Sequence, residues 1–416
     1  MRSPSVRIEP GALSAAQSRS VAWVLVSTTH YHHARMSAFA ELWPHRATIV
    51  QITDTDSVRA LEARPESAPY DLHTLLPGVP TSLALRQRIG PLIDAALHRL
   101  RPGVVCINGW SFGGAIEALR WSRRNGARAI VMSESSEGDE PRRWWKERMK
   151  RQVVALCSAA LVGGSLHAAY LESLGAPRER IFDGYDAVDN GHFRNNAETA
   201  RRDPAAARTR LALPGRYFLA ACRFEEKKNL PRLIQAFAEY RAVAGASAWN
   251  LAILGDGEMR PALERQAAAL GLNGHLHMPG FAAYNDLPAW YALAECFIHA
   301  SVTEQWGLVV NEAMASGTPA LVSKRCGCCP DLLREGRNGY SFDPFDAPSL
   351  ARLMLRVQRE EASAPAMGAE SAAIIAEWGP ARFARNLSQA AECALGAVPR
   401  RRTLAEEAML AALCHV

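Results

Sequence analysis

Short apolar runs alternate with amphipathic helical stretches along the whole 416-residue chain. That rhythm admits little besides parallel β-sheets wrapped by helices. In the first half, strands are expected at 21–27, 47–52, 104–108, 129–133 and 159–162, with helices at 31–42, 83–100 and 115–124. A polar, Arg/Ala/Asn-rich stretch at 193–214, bounded by Pro204 and Pro214, breaks the pattern and reads as an interdomain linker. The rhythm then restarts. Strands are expected at 217–222, 251–254, 296–300 and 320–323, and helices at 230–241, 260–270, 309–316 and 347–359. The expected architecture is α/β, two Rossmann-like doubly wound domains facing a cleft. One spans 18–200 and the other 214–377, with a flexible tail at 1–17 and another at 399–416. In open sheets of this kind ligands bind outside the carboxyl ends of the strands, which places the site between the domains.

Composition narrows the field. Hydrophobic residues make up 48% and charged residues 22%, enough apolar material for two cores, which excludes disulfide-stapled and disordered classes. Lys plus Arg total 48 against 42 Asp plus Glu, a net charge of +6. So mild an excess argues against a nucleic-acid binder and suits a small anionic ligand. No run approaches the ~20 apolar residues of a membrane span, and the first twenty residues lack a signal-peptide core, so the chain reads as cytoplasmic. Cys106, Cys157, Cys222 and Cys296 sit in apolar runs and read as reduced core residues. Cys326, Cys328 and Cys329 cluster tightly, but no second Cys/His pair stands at ligand spacing, so neither a metal site nor a cofactor is expected.

The densest chemistry lies at strand ends in the second half. After the strand at 296–300 comes Thr303-Glu304-Gln305-Trp306-Gly307-Leu308-Val309-Val310-Asn311-Glu312, which opens a helix. Gly307 lets backbone N–H groups approach a ligand, and a helix N-terminus favours an anion. Glu304 precedes the turn and Glu312 lies on the helix, so one carboxylate can face a reaction centre while the other reaches a ligand part beside the helix. Arg223 and Lys228 follow the strand at 217–222 and are placed to hold a diphosphate. Gly255-Asp256-Gly257 follows the next strand at the same edge. The bland alternative for each alone is a solvated surface charge. Together they point to one crevice.

Residues 217–345 resemble the nucleotide-binding domain of the retaining GT-B glycosyltransferases of group 1 (GT4). The matching motifs are Arg-x4-Lys-Asn (Arg223 to Asn229), Leu-Gly-x-Gly (Leu254 to Gly257), Glu-x7-Glu (Glu304 to Glu312) and Glu-Ala-Met-Ala-x-Gly-x-Pro (Glu312 to Pro319). The Gly336–Gly339 loop with Pro344 also matches, while the first half resembles the family more faintly, at 159–164 and 186–193. The resemblance implies a GT-B fold whose first domain takes the acceptor, with a helix at 380–395 crossing back onto it. It implies that Glu304 holds the donor sugar, Glu312 the ribose, and Arg223 and Lys228 the departing diphosphate. Gly255, Gly257 and the backbone around Trp306, Gly307, Leu308 and Val309 would complete a donor site that needs no metal. The implied reaction is retaining transfer from a nucleotide diphosphate sugar, a UDP-sugar by preference, to a hydroxyl acceptor in polysaccharide or glycoconjugate synthesis.

The first half offers a rival. Gly109-x-Ser111-x-Gly113 follows a strand and fits a nucleophile elbow, which would make Ser111 the nucleophile of an α/β serine hydrolase. His167, His192, His275, His277 and His299 lie downstream to complete a triad, but no His-Gly-Gly oxyanion loop lies upstream. A nucleotide-sugar epimerase would need Gly-x-Gly-x-x-Gly and Tyr-x3-Lys, both absent. Where the family has a Gly-rich loop after the first strand, this chain has Ser27 to His33. His30 and His32 there could contact acceptor or phosphate, or be plain surface histidines. Glu134, after the strand at 129–133, is the candidate for a sugar contact that a histidine makes in the family. The basic, aromatic stretch 142–151 could rest on an anionic inner-membrane surface and bring in a lipid-linked acceptor, or line the cleft with solvated cations.

Overall fold

The structure, a computed structural model, describes residues 17–55, 67–85, 89–398 and 402–414. The first series runs β1 (Val21–Leu25), α1 (His30–Leu42), β2 (Ala47–Gln51), β3 (Asp71–Thr74), α2 (Thr81–Ala84) and α3 (Gly90–Leu100). It continues with β4 (Val104–Asn108), α4 (Gly113–Asn125), β5 (Arg128–Ser133), α5 (Trp144–Leu156), β6 (Ala159–Val162), α6 (Ser165–Ser173) and β7 (Ile181–Phe182). Helices α7 (Asn190–Arg202) and α8 (Pro204–Leu211) lead into the second series. That series begins β8 (Tyr217–Ala221), α9 (Leu230–Ala244), β9 (Asn250–Leu254), α10 (Arg260–Ala269), β10 (Leu276–Gly280) and α11 (Leu287–Ala292). It ends with β11 (Cys296–His299), α12 (Leu308–Ala315), β12 (Ala320–Ser323), α13 (Cys329–Leu332), β13 (Gly339–Phe342) and α14 (Ala347–Arg359). Helices α15 (Ala364–Ala376), α16 (Pro380–Gly396) and α17 (Leu404–Leu413) follow.

The strands form two all-parallel sheets, ordered β3-β2-β1-β4-β5-β6-β7 and β10-β9-β8-β11-β12-β13. Both faces are covered, so the central strands are apolar throughout and every residue of β1 and β8 is buried. Alternation along β1 feeds two layers. Ala22 and Val24 pack with Ile93, Leu97 and Leu119, while Trp23 and Leu25 pack with Phe39 of α1 and Phe383 and Leu387 of α16. Strand order reverses on either side of β1 and of β8, the switch points at which loops splay apart.

The chain crosses between the sheets twice. After α15 it returns, and α16 packs on α1 and on β5, β6 and β7, with Arg382 gripping Asp183 through two 2.9 Å bonds. The crossings touch: Asn190 Nδ2 donates to Ile375 O at 2.7 Å, and a Cβ on Gly379 would stand 2.8 Å from that same nitrogen. The helix expected at 380–395 is therefore present and sits on the first domain.

Several expectations need correction. The stretch 193–214 is not extended linker but mostly helical, within α7 and α8, because Asp203 caps Ala206 N at 3.0 Å and Pro204 takes the first turn of α8. The helix expected at 83–100 is two helices, α2 and α3, with 86–88 outside the described residues. Residues 399–416 were expected as a tail. Of these, 399–401 and 415–416 lie outside the described residues, but α17 docks on α4, where Glu407 meets Arg120 at 2.7 Å and Glu406 meets Arg123 at 3.1 Å. The tail expected at 1–17 lies outside the described residues except for Gln17. Among the described residues no helix is long and apolar enough to cross a membrane.

Candidate active site

Four strand ends of the second sheet converge with the facing edge of the first. From β8 the chain turns through Arg223 to Lys228 and Asn229. Buried Asn229 adopts φ +60° and donates to Ala300 O (3.1 Å) and Pro344 O (2.7 Å), which pins this loop to the ends of β11 and β13. Lys228 is thereby aimed at Glu304, and its Nζ donates to Glu304 Oε2. Arg223 is not drawn in. It is partly exposed and pairs with Glu225 of its own loop at 2.9 Å.

Gly255 and Gly257 serve this packing. A Cβ on Gly255 would fall 1.9 Å from Cys222 O, and one on Gly257 2.7 Å from Phe224 O, so only glycine lets the β9 loop seat against the β8 loop. Gly307, at φ +106°, makes the turn into α12. Leu308 and Val309, half-buried, begin that helix.

Glu304 also receives Ser301 Oγ and His299 Nε2, each at 3.2 Å. Burial opposes its ionisation, but the bond from His299 and the Lys228 ammonium outweigh that and hold the carboxyl well below the usual carboxylate range. The result is a fixed negative charge beside a fixed cation, at the N-terminus of a helix.

Glu312 sits differently from its expected place beside an open crevice. It is 1% exposed; Tyr291 donates to its Oε2 at 2.7 Å, and Tyr31, from the first domain, donates to its Oε1. Burial pushes its carboxyl up to about 7 despite both hydroxyls. The His30 ring lies 3.9 Å from Tyr31 and 4.0 Å from Tyr284, and Tyr284 stacks on His192 at 4.1 Å. His30 therefore belongs to an aromatic cluster that joins the domains. His32 does not join it: its Nδ1 accepts from Thr29 N at 3.1 Å and closes the first turn of α1.

The Trp306 side chain is an interdomain rivet. It is 1% exposed, donates to Asn311 at 2.9 Å, and fills space that Cβ atoms on Gly163 and Gly164 would need. Beside it His167 accepts from Gly164 N at 3.0 Å, which leaves its Nε2–H to donate across the cleft to Gln305 O at 2.9 Å. Asn311 reaches back to Asp186 O at 3.0 Å. Glu134, half-buried beyond β5, faces fully buried Asp186, whose carboxyl is raised first by burial and then by the Glu134 charge; Arg35 stands 3.7 Å away.

The hydrolase reading finds no support. Ser111 is exposed, and among the described residues no hydrogen bond joins it to a histidine or an acid. The glycines of its motif have other causes: Gly109 adopts φ +62°, and a Cβ on Gly113 would stand 2.9 Å from Cys414 O. Cys326 and Cys328 are buried under the site, where the Cys326 backbone bridges to Glu304. The sequence did not mark Tyr31, Tyr291 and Ser301 as site residues, and it marked His299 only as one of the histidines open to a hydrolase triad. His299 and Ser301 flank the end of a strand already marked, which was the available signal.

Two parallel-sheet domains with their carboxyl edges face to face and an α16 that returns to the first domain define the GT-B class. The chain is similar in fold to sucrose-phosphate synthase from Thermosynechococcus elongatus (TM-score 0.68, 18% identity, 89% of this chain and 98% of that one). It is likewise similar to Anabaena HepE in complex with UDP-glucose (TM-score 0.67, 16% identity, 89% and 98%). Residues 203–373 match the family described as "Glycosyl transferases group 1". The second domain is thus a domain of the group 1 glycosyltransferase family.

Among curated relatives, mannosylfructose-phosphate synthase of Agrobacterium fabrum is 27% identical over 249 residues, 56% of this chain and 53% of that protein. A lipopolysaccharide core biosynthesis glycosyltransferase of Rhizobium meliloti is 34% identical over 135 residues, 32% of this chain and 37% of that protein. The matches thus span about half or less of the length of these relatives.

Proposed function

We propose that the protein is a retaining glycosyltransferase that moves a sugar from a UDP-sugar to a hydroxyl acceptor in polysaccharide or glycoconjugate synthesis. The observation that carries this is the Lys228–Glu304–His299 cluster at the start of α12. Breaking a sugar–phosphate bond builds positive charge on the sugar and negative charge on the departing diphosphate. A carboxylate kept ionised supports the first, and Lys228, Arg223 and the α12 N–H groups support the second, so no divalent metal is called on. Gly255, Gly257 and the backbone from Trp306 to Val309 would shape the donor site. Glu312 would hold the ribose once a ribose hydroxyl replaces that of Tyr31. His30 and Glu134 would face the acceptor and sugar from the first domain.

The acceptor would be lipid-linked, presented at the cytoplasmic face of the inner membrane with residues 142–151 resting on it. Support comes from exposed Arg143, Trp144, Arg148 and Arg151. The test is release of nucleotide from UDP-, GDP- and ADP-sugars by purified protein, followed by NMR of the product's anomeric proton. UDP release with the donor's anomeric configuration kept is expected; an inverted product would overturn the retaining assignment.

A further inference from the structure

A pocket of about 240 Å³ lies in the first domain, apart from the donor cluster. Its floor and walls are Trp110, from the loop after β4, with Trp145, Met149 and Val153 of α5 and Leu413 of α17. Trp145, Met149 and Val153 are spaced i, i+4, i+8, so one stripe of α5 faces inward. The C-terminal helix is needed to close the pocket, and its seating against Gly113 is the close approach noted above.

Position ties the pocket to the cleft. The loops after β1, β6 and β7 already touch the second domain through Tyr31, Gly164 and Asp186. In the sheet β4 and β5 lie between β1 and β6, so the loops that carry Trp110 and lead to Trp145 lie on the same edge. Charge tells what the pocket would accept. Two lysines, Lys146 and Lys150, line it against one carboxylate, Glu140, which Lys150 meets at 3.0 Å and Lys146 at 3.6 Å; Lys150 also meets Glu147 at 3.1 Å. Trp145 is 42% exposed, an apolar surface left open at the mouth.

We infer that this pocket binds the hydrocarbon chain of a single anionic amphiphile, with its head group against the cations of α5 and the neighbouring cleft. A concave site with apolar walls, and two lysines against one carboxylate in its lining, suits a single chain with an anionic head group. Naming that amphiphile as the glycosyl acceptor rests on the function proposed above; the chain site does not.

The test is calorimetric titration of the full chain with monomeric dodecyl phosphate, with inorganic phosphate, and with vesicles of phosphatidylcholine and phosphatidylglycerol. One dodecyl phosphate should bind per chain, inorganic phosphate should not displace it, and Trp145→Ala and Met149→Glu should each weaken binding about tenfold or more. Unchanged melting temperature would exclude misfolding, since Trp145 is on the surface. Equal competition by inorganic phosphate, binding to vesicles without binding to the monomer, or variants within about twofold of wild type would each overturn the inference. UDP binding is measured separately. Its absence alongside intact amphiphile binding would sink the glycosyltransferase reading and leave this site standing.

Discussion

The hydroxyl of Tyr31 in the first domain donates to the buried carboxyl of Glu312 in the second. The side chain proposed to grip the donor's ribose is thus already occupied by a phenol that a sugar hydroxyl would have to replace. Tyr291 holds the other oxygen from within the same domain, so the exchange concerns only the bond that crosses the cleft.

Tyr31→Phe removes the competing hydroxyl but keeps the ring stacked near His30. The loss of one hydrogen bond, about 1 kcal/mol, should tighten UDP binding about fivefold. Calorimetry with UDP checks this. Weaker binding in the variant would mean that Tyr31 helps hold the donor.

Glu312 also gives the fold a pH dependence. Its carboxyl, ordinarily near 4.5, is raised by burial to about 7. Between those values the folded chain keeps a proton that the unfolded chain has released. Stability from this group therefore falls as pH rises through that window and levels off above it, by about 3 kcal/mol in all. Glu312→Gln should flatten this part of the melting-temperature profile between pH 5 and 8. An unchanged slope would show that the group titrates normally.

Glu304 and Glu312 should fail in different ways. Glu304→Gln keeps the shape and removes the charge, so kcat should fall about 100-fold with little change in donor KM. Glu312→Ala should chiefly raise donor KM, and it will lower stability too because two buried hydroxyls lose their acceptor. Steady-state kinetics with one donor decides the matter; the reverse pattern would exchange their roles.

Lys228→Met should lower kcat about 10²–10³-fold. It should also take from Glu304 one of the groups that keep it ionised, with the bond from His299 remaining. The carboxyl should then rise, so the acid limb of the kcat profile should move to higher pH. Arg223→Ala should lower kcat without moving that limb, because Arg223 pairs with Glu225 instead. A shifted limb in Arg223→Ala would contradict this geometry.

The central strands and the clustered motifs were legible because parallel strands buried on both faces leave unbroken apolar runs, as in β4 and β8. The strands β3, β7, β10 and β13 went unread. At the sheet edges, β3 and β10 are only half-buried, and β7 has two residues, so neither run nor alternation marks them. The α8 helix did carry its signal, Asp203 before Pro204, but the polar composition hid it. At the site, local pattern showed which strand ends bear charge. It could not show that Tyr31 would meet Glu312, because that contact joins residues 281 positions apart on separate sheets.

The paired crossings at Asn190 and Gly379 bear on how such a contact can be undone. Because the two passes of backbone lie side by side and are stitched by Asn190 to Ile375, they act as the spine of a book. Both covalent links between the halves thus lie along one line, so a separation of Tyr31 from Glu312 would be taken up there, where a few element-terminal residues absorb the change.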